Sequence, residues 1–94
     1  MSEVVFNIAG FLTDFTGGRH VVQIATAPKT INEALGELWQ IYPGLRDRVL
    51  TERGQVRTHV NIFLESENIR RMELLETALP ERCEITILPS VSGG

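Results

Sequence analysis

One amphipathic helix pattern, flanked on both sides by strand patterns, is the feature that most restricts the fold of this 94-residue chain. Between Thr30 and Tyr42, apolar residues recur at steps of three and four and form a single stripe. Thr30 and Glu33 have the spacing of a capping box at the helix start, and Pro43-Gly44 is expected to stop the helix. A helix with one apolar stripe must bury it against another layer, so the rest of the chain has to supply a sheet.

The remaining segments supply short strand patterns separated by turn signals. Strands are expected at residues 4–9, 20–26, 58–64, 69–72 and 84–88. The paired glycines of Thr16-Gly17-Gly18-Arg19 tolerate positive φ, so the first two strands should form a hairpin. A short helical turn is expected at 45–50, a loop at 51–57 and a single irregular turn at 74–79.

This order of elements is that of the β-grasp fold. It predicts an α+β domain in which one main helix crosses one face of a mixed sheet of four to five strands. The length allows one domain, which we place at residues 1–89, followed by a flexible C-terminal tail at 90–94.

Composition narrows the classes of function. The net charge is −3 and no basic block occurs, which argues against nucleic-acid binding. No apolar run approaches the roughly 20 residues that cross a membrane, and residues 1–3 do not resemble a secretion leader. Cys83 is the single cysteine, which fits a reduced compartment, so we expect a cytoplasmic protein.

Two segments, residues 59–70 and 84–94, resemble the ubiquitin-like sulfur carriers, a family that includes the small subunit of molybdopterin synthase and the thiamin sulfur carrier. The ending Ile-Leu-Pro-Ser-Val-Ser-Gly-Gly is the most specific part of the likeness. Within the family, the chain is most similar to the mycobacterial carriers of the cysteine-biosynthesis type. Further points of likeness are Thr16-Gly17-Gly18, Tyr42-Pro43-Gly44 and Arg57-Thr58-His59.

The resemblance implies that the chain is a carrier and not an enzyme. A partner resembling the ubiquitin-activating enzymes would use ATP to adenylate the carboxylate of Gly94, and sulfur would then replace AMP to give a thiocarboxylate. A second partner, a cysteine synthase-like enzyme or the large subunit of molybdopterin synthase, would take the sulfur. No cofactor is expected on the carrier itself.

The tail would thread into the partners' active sites. Its threading residues are Val91, Ser92, Gly93 and Gly94. Five extended residues after Pro89 reach at most about 17 Å, and glycines without a Cβ fit a narrow channel.

A docking surface is predicted from strand alternation and from the family, which docks through its sheet. Val60, Ile62 and Leu64 share one face of their strand, so Phe63 points to the other face. Leu88 is expected on that same outer face because Ile85 and Ile87 resemble core residues. Phe6 is included as a third docking residue, although its strand is apolar on both faces.

Other chemistry has little support in the sequence. Cys83 is expected in a turn before the last strand, as a small half-buried residue without an activating neighbour. His20 and His59 lack the grouping that a metal site requires, so none is expected.

Three alternatives to the cysteine-type carrier stay open. They are the small subunit of molybdopterin synthase, a covalent protein modifier joined through Gly94, and an interaction domain with an idle tail. Lys29 is the only lysine, which argues against ubiquitin-style polymers of a modifier.

Overall fold

Alternating burial along the longer strands shows how the sheet forms. In the computed structural model, which describes residues 2–89, buried and exposed side chains alternate along β1, β3 and β5. The strands are β1 (Glu3–Ile8), β2 (Val21–Ile24), β3 (Val60–Leu64), β4 (Glu67–Asn68) and β5 (Arg82–Pro89). They form one sheet in the order β2-β1-β5-β3-β4, in which β1 and β5 are parallel and the other pairs antiparallel. The predicted mixed sheet and β-grasp fold are confirmed.

The main helix, α1 (Ile31–Ile41), begins where the capping box predicted. The Thr30 hydroxyl accepts a hydrogen bond from the backbone N–H of Glu33 at 3.2 Å. The Glu33 carboxylate in turn accepts from the backbone N–H of Lys29 at 3.0 Å. The predicted stripe is buried through Ile31, Ala34, Leu35 and Leu38.

Pro43 both ends one helix and begins another. We predicted a stop at Pro43-Gly44 and a short helical turn at 45–50, whereas α2 occupies Pro43–Val49. Tyr42, with ψ of 75°, breaks the first helix, and Pro43 takes the first position of the second, where no intrahelical donor is needed. Leu45 and Val49 then bury the inner side of α2.

Three short 3-10 helices connect these elements, at Gly10–Phe15, Ile69–Arg71 and Leu74–Glu76. The strand predicted at 69–72 is therefore wrong. The Asn68 side chain accepts from the backbone N–H of Arg70 at 2.9 Å and caps a turn there. The short edge strand β4 lies directly before this turn, at Glu67–Asn68.

The core lies between the helices and one face of the sheet. It includes Phe6, Leu35, Ile62, Ile85 and Ile87, each at most 1% exposed. Among residues 2–89, no helix is long and apolar enough to span a membrane.

Candidate functional site: the outer sheet face and the root of the tail

The last described residue, Pro89, lies at the end of a strand held on both sides. Ile87 in β5 pairs with Ile8 in β1, and Pro89 pairs with Val60 in β3. Beyond β1, the backbone N–H of Ala9 donates to the Ile87 carbonyl at 3.1 Å. The position from which residues 90–94 leave the domain is therefore fixed by two neighbouring strands.

The turn after β1 packs against the Pro89 ring. Gly10 has φ of +63°, and a Cβ at this position would lie 2.9 Å from Pro89 Cγ. That distance is shorter than an ordinary carbon contact, and the dihedral is one that side chains with a Cβ rarely adopt. Only glycine fits here without a shift of its neighbour.

The outer face of the sheet, opposite the core, carries two of the three predicted docking residues. Phe63 in β3 is half-buried and pairs with Thr86 in β5. Leu88 in β5 is 39% exposed and pairs with Asn61. Phe63 and Leu88 thus lie on the same face, as predicted, although their docking role stays a prediction.

Phe6 is a correction, because it lies on the core face and has no exposed surface. It pairs with Val22 and Ile85, which are both buried, and the strand alternates so that Val5 and Asn7 face outward. The run Val4-Val5-Phe6 is apolar at every position, so period alone does not decide its orientation. Asn7 was the available signal, since a polar outward residue puts Phe6 on the inner face.

Apolar and polar side chains mix on the outer face. Val21, which sequence reasoning missed, is 54% exposed at the edge of the sheet. The Asn7 amide donates to the Thr86 hydroxyl at 3.4 Å, a long contact, and the Asn68 amide donates to Asn61 at 3.2 Å. A surface with apolar groups between paired polar groups can bind a partner and release it without exposing unpaired donors.

A cleft of about 180 Å³ opens between the turn after β1, α2 and the segment that precedes β3. It is lined by Phe11, Asp47, Arg48, Arg57 and His59. The Arg57 Nε–H donates to the Asp47 carbonyl at 2.8 Å, and the Arg48 guanidinium lies 4.7 Å from the centre of the ring of Phe15. Sequence reasoning did not single out this cleft, because its residues come from three separate segments.

Cys83 is not positioned for chemistry. It lies within β5 and not in the preceding turn, and it is 7% exposed. Burial, with a smaller effect of the Glu65 carboxylate, raises the pKa of the thiol, so the unreactive protonated form is favoured at neutral pH.

Three further predictions concern metal binding, the tail and the domain boundary. Within the part of the chain that the structure describes, no group of three acidic, histidine or cysteine residues could hold a metal ion. Val91, Ser92, Gly93 and Gly94 lie outside the described residues, so tail threading stays a prediction, as does the division of the chain at residue 90.

A β-grasp sheet with a half-apolar outer face, and a last strand that leads to a Gly-Gly end, defines the class of ubiquitin-like carrier proteins. The chain belongs to the ThiS family, whose model matches residues 7–94. Membership of this family confirms the resemblance to the sulfur carriers.

Individual relatives agree with this assignment. The chain is 29% identical over 94 residues to the sulfur carrier protein CysO of Mycobacterium tuberculosis, covering 98% of this chain and 99% of the relative. It is similar to the CysO structure of that organism, with a TM-score of 0.81, 28% identity and coverage of 94% and 99%. It is also similar to a chain of the Amycolatopsis orientalis BexX/CysO complex, with a TM-score of 0.85, 27% identity and coverage of 97% and 99%. The chain is a sulfur carrier of this ubiquitin-like type.

Proposed function

We propose that this chain carries sulfur as a thiocarboxylate on Gly94 and delivers it for the synthesis of cysteine or a related metabolite. The observation that supports this most is similarity to CysO over 98% of the chain, together with the Gly-Gly sequence that follows a fixed strand. The proposal requires Gly94 to be the last residue of the working protein.

The chemistry divides into two balanced steps. The Gly94 carboxylate attacks the α-phosphorus of ATP and releases pyrophosphate, which gives an acyl-adenylate. Hydrosulfide then attacks the carbonyl carbon, and AMP leaves with its bonding electron pair. A persulfide would instead give an acyl disulfide, whose S–S bond a thiol cleaves to leave the thiocarboxylate and a new disulfide. The product is a thiocarboxylate, whose sulfur is a better nucleophile than the original oxygen.

The carrier supplies reach and a docking surface, and its partners supply the catalytic groups. We infer that the activating enzyme and the sulfur acceptor bind the outer face around Phe63 and Leu88 while the tail enters their active sites. The complex of a CysO with BexX supports the idea that carriers of this type act through partner proteins.

The test is intact-mass spectrometry of the chain after incubation with its activating enzyme, ATP and a sulfur source. We expect the mass gain of one oxygen-to-sulfur exchange, located on Gly94 by fragmentation. A chain lacking Gly94 is the control and should gain nothing, while its circular dichroism spectrum stays that of the intact chain. Absence of the exchange in the intact chain, with an enzyme active on another carrier, would contradict the proposal.

A covalent modifier is the second candidate, favoured by similarity to SAMP1 of Haloferax volcanii, with a TM-score of 0.82, 25% identity and coverage of 98% and 99%. SAMP1 is a small archaeal modifier protein, as in the 30% identical relative from Methanosarcina acetivorans. Peptide mass spectrometry of cell lysate separates the two candidates. Gly94 in isopeptide linkage to lysines would support a modifier. Recovery of a pyridoxal-phosphate-dependent, cysteine synthase-like enzyme with the chain would support the cysteine carrier. Recovery of a pterin-binding subunit would instead support a molybdopterin synthase role.

A further inference from the structure

The contact between Gly10 and Pro89 joins the ends of β1 and β5, two neighbouring strands in the middle of the sheet. Gly10 begins the 3-10 helix after β1, and Pro89 ends β5. A Cβ on Gly10 would lie 2.9 Å from Pro89 Cγ and 3.5 Å from Pro89 Cδ. A side chain at Gly10 would therefore clash with the ring unless one of the two residues shifted.

The conformation of the turn alone does not require this closeness. Gly17 has nearly the same backbone dihedral, with φ of +64°, yet a Cβ there would meet nothing within 4 Å. Both positions need glycine for their dihedrals, but only Gly10 also needs it to make room for a neighbouring residue. Gly17 therefore serves as a comparison for Gly10, because the two differ in their neighbours and not in φ.

The position of Pro89 next to β1 depends on side-chain packing, because proline lacks a backbone donor. Proline has no backbone N–H and cannot donate to a neighbouring strand, so the last residue of β5 lacks one of the usual ladder bonds. Its antiparallel partner in β3 is Val60, on the side away from β1. Packing of the ring against Gly10 restrains the β1 side, where a hydrogen bond from Pro89 is not available.

We propose that Gly10 is a positioning residue for the tail, and that its contact with Pro89 sets the direction in which residues 90–94 leave the domain. This inference rests on the proposed function, because direction matters for delivery of the Gly94 carboxylate to a partner's active site. Displacement of a reacting group by about 1 Å can slow a step by about a hundredfold. A shift at Pro89 changes the point and the direction from which the five following residues start toward a partner's active site.

Gly10→Ala is the central variant, and Gly17→Ala is its matched control. Both place alanine at nearly the same unfavourable φ, so both should lower the thermal midpoint. Gly10→Ala should lower it further, because only this variant pushes on Pro89. The double variant Gly10→Ala/Pro89→Ala removes the ring atoms that clash and keeps the dihedral strain. Pro89→Ala alone removes the contact in a chain with no added strain at Gly10.

The first measurement is steady-state adenylation, with the carrier as the varied substrate of its activating enzyme. For Gly10→Ala we expect kcat to fall about tenfold and KM to stay within about twofold, because the outer face still docks while the carboxylate is misplaced. Gly17→Ala should keep both constants. The double variant should recover to within about threefold of the parent chain, and Pro89→Ala alone should lose about threefold in kcat.

The second measurement follows the tail without any enzyme. A nitroxide on Ser92→Cys, in a Cys83→Ala background, broadens the backbone amide signals of nearby residues. Ala9, at the end of β1, and Val60, in β3, lie on the two sides of β5, so the ratio of their broadening reports tail direction. We expect this ratio to change in Gly10→Ala and Pro89→Ala, and to be unchanged in Gly17→Ala.

The two measurements separate failure of the inference from failure of the function. If the parent chain is not adenylated, the proposed function fails, and the broadening ratio still decides whether Gly10 sets the tail direction. The inference is overturned if Gly10→Ala leaves the ratio unchanged, if Gly17→Ala loses kcat equally, or if the double variant is no better than Gly10→Ala. Should Gly10→Ala not fold, Pro89→Ala alone must change the ratio for the inference to stand.

Discussion

Neighbouring residues of β3 lie in opposite environments, with Ile62 1% exposed in the core and Phe63 half-buried on the outer face. The same contrast recurs in β5, where Ile87 is fully buried and Leu88 is 39% exposed. The inner face is closed by α1 and α2, whereas the outer face has no described layer over it. Side chains of similar apolar character therefore stabilise the fold on one face and are available to a partner on the other.

The largest effect should come from Phe6, which the structure moves from the outer face to the core. Phe6→Ala leaves a cavity and should lower the free energy of unfolding by about 3–5 kcal/mol. The adjacent Val5→Ala, on the outer face, should cost about 1 kcal/mol or less. Urea unfolding of both variants measures the difference, and equal losses would refute the assigned orientation of β1.

An outer-face variant should show the reverse pattern, with loss of binding and little loss of stability. Phe63→Ala/Leu88→Ala should weaken binding to the activating enzyme by at least about tenfold, about 1.4 kcal/mol, since buried apolar anchors dominate interfaces. Isothermal titration calorimetry measures the affinity. Val21→Ala, on the same outer face at the edge strand β2, is the control for a general loss of apolar surface. If this control binds the activating enzyme as weakly as the double variant does, a docking site centred on Phe63 and Leu88 is contradicted.

Removal of the helix cap should weaken the layer that closes the inner face. Thr30→Ala deletes the acceptor for the Glu33 N–H and should cost about 1 kcal/mol in the free energy of unfolding. Thr30→Ser retains the hydroxyl and should restore most of that loss. Affinity for partners should not change in either variant, because the cap is remote from the outer face.

The smallest effect should be an alkaline loss of stability caused by Cys83. Its pKa is raised in the folded chain, so folding favours the protonated thiol. This contribution is complete below the ordinary thiol pKa of about 8.5, and it is lost as pH rises toward the higher folded value. Urea midpoints measured between about pH 7 and about pH 10 should fall more steeply for the parent chain than for Cys83→Ala. Parallel curves would show that the thiol does not contribute.

Sequence patterns predicted the elements well where polar and apolar residues alternate. In β3, Asn61 breaks the apolar run and fixes the outward position of Phe63, so that assignment was correct. In β1 the run Val4-Val5-Phe6 has no such break, and the orientation of Phe6 was wrong. The strand expected from Ile69 was wrong because a local hydrogen bond competes with strand pairing there. The Asn68 side chain accepts from the backbone N–H of Arg70 and stabilises a turn.

The tail root could not be predicted, because its geometry depends on contacts distant in sequence. The strands expected at 4–9 and 84–88 put Gly10 and Pro89 just after their ends, with nothing to link the two residues. Their contact arises because β1 and β5 pair in parallel, so the C-terminal ends of both strands lie side by side at the same end of the sheet. No local pattern in either segment encodes that meeting.

The parallel pairing of β1 with β5 also has a consequence for the order of events during synthesis. Asn7 and Thr86 are 79 residues apart in the chain, yet they are hydrogen-bonded neighbours in the sheet. The first strand made by the ribosome must therefore wait for nearly the whole chain to emerge before its central partner exists, and such long-range closure slows folding. A chain interrupted anywhere before β5 lacks the central strand of its sheet. On the proposed function, such an unfinished product would offer its partners neither a sulfur-accepting end nor a completed surface to bind.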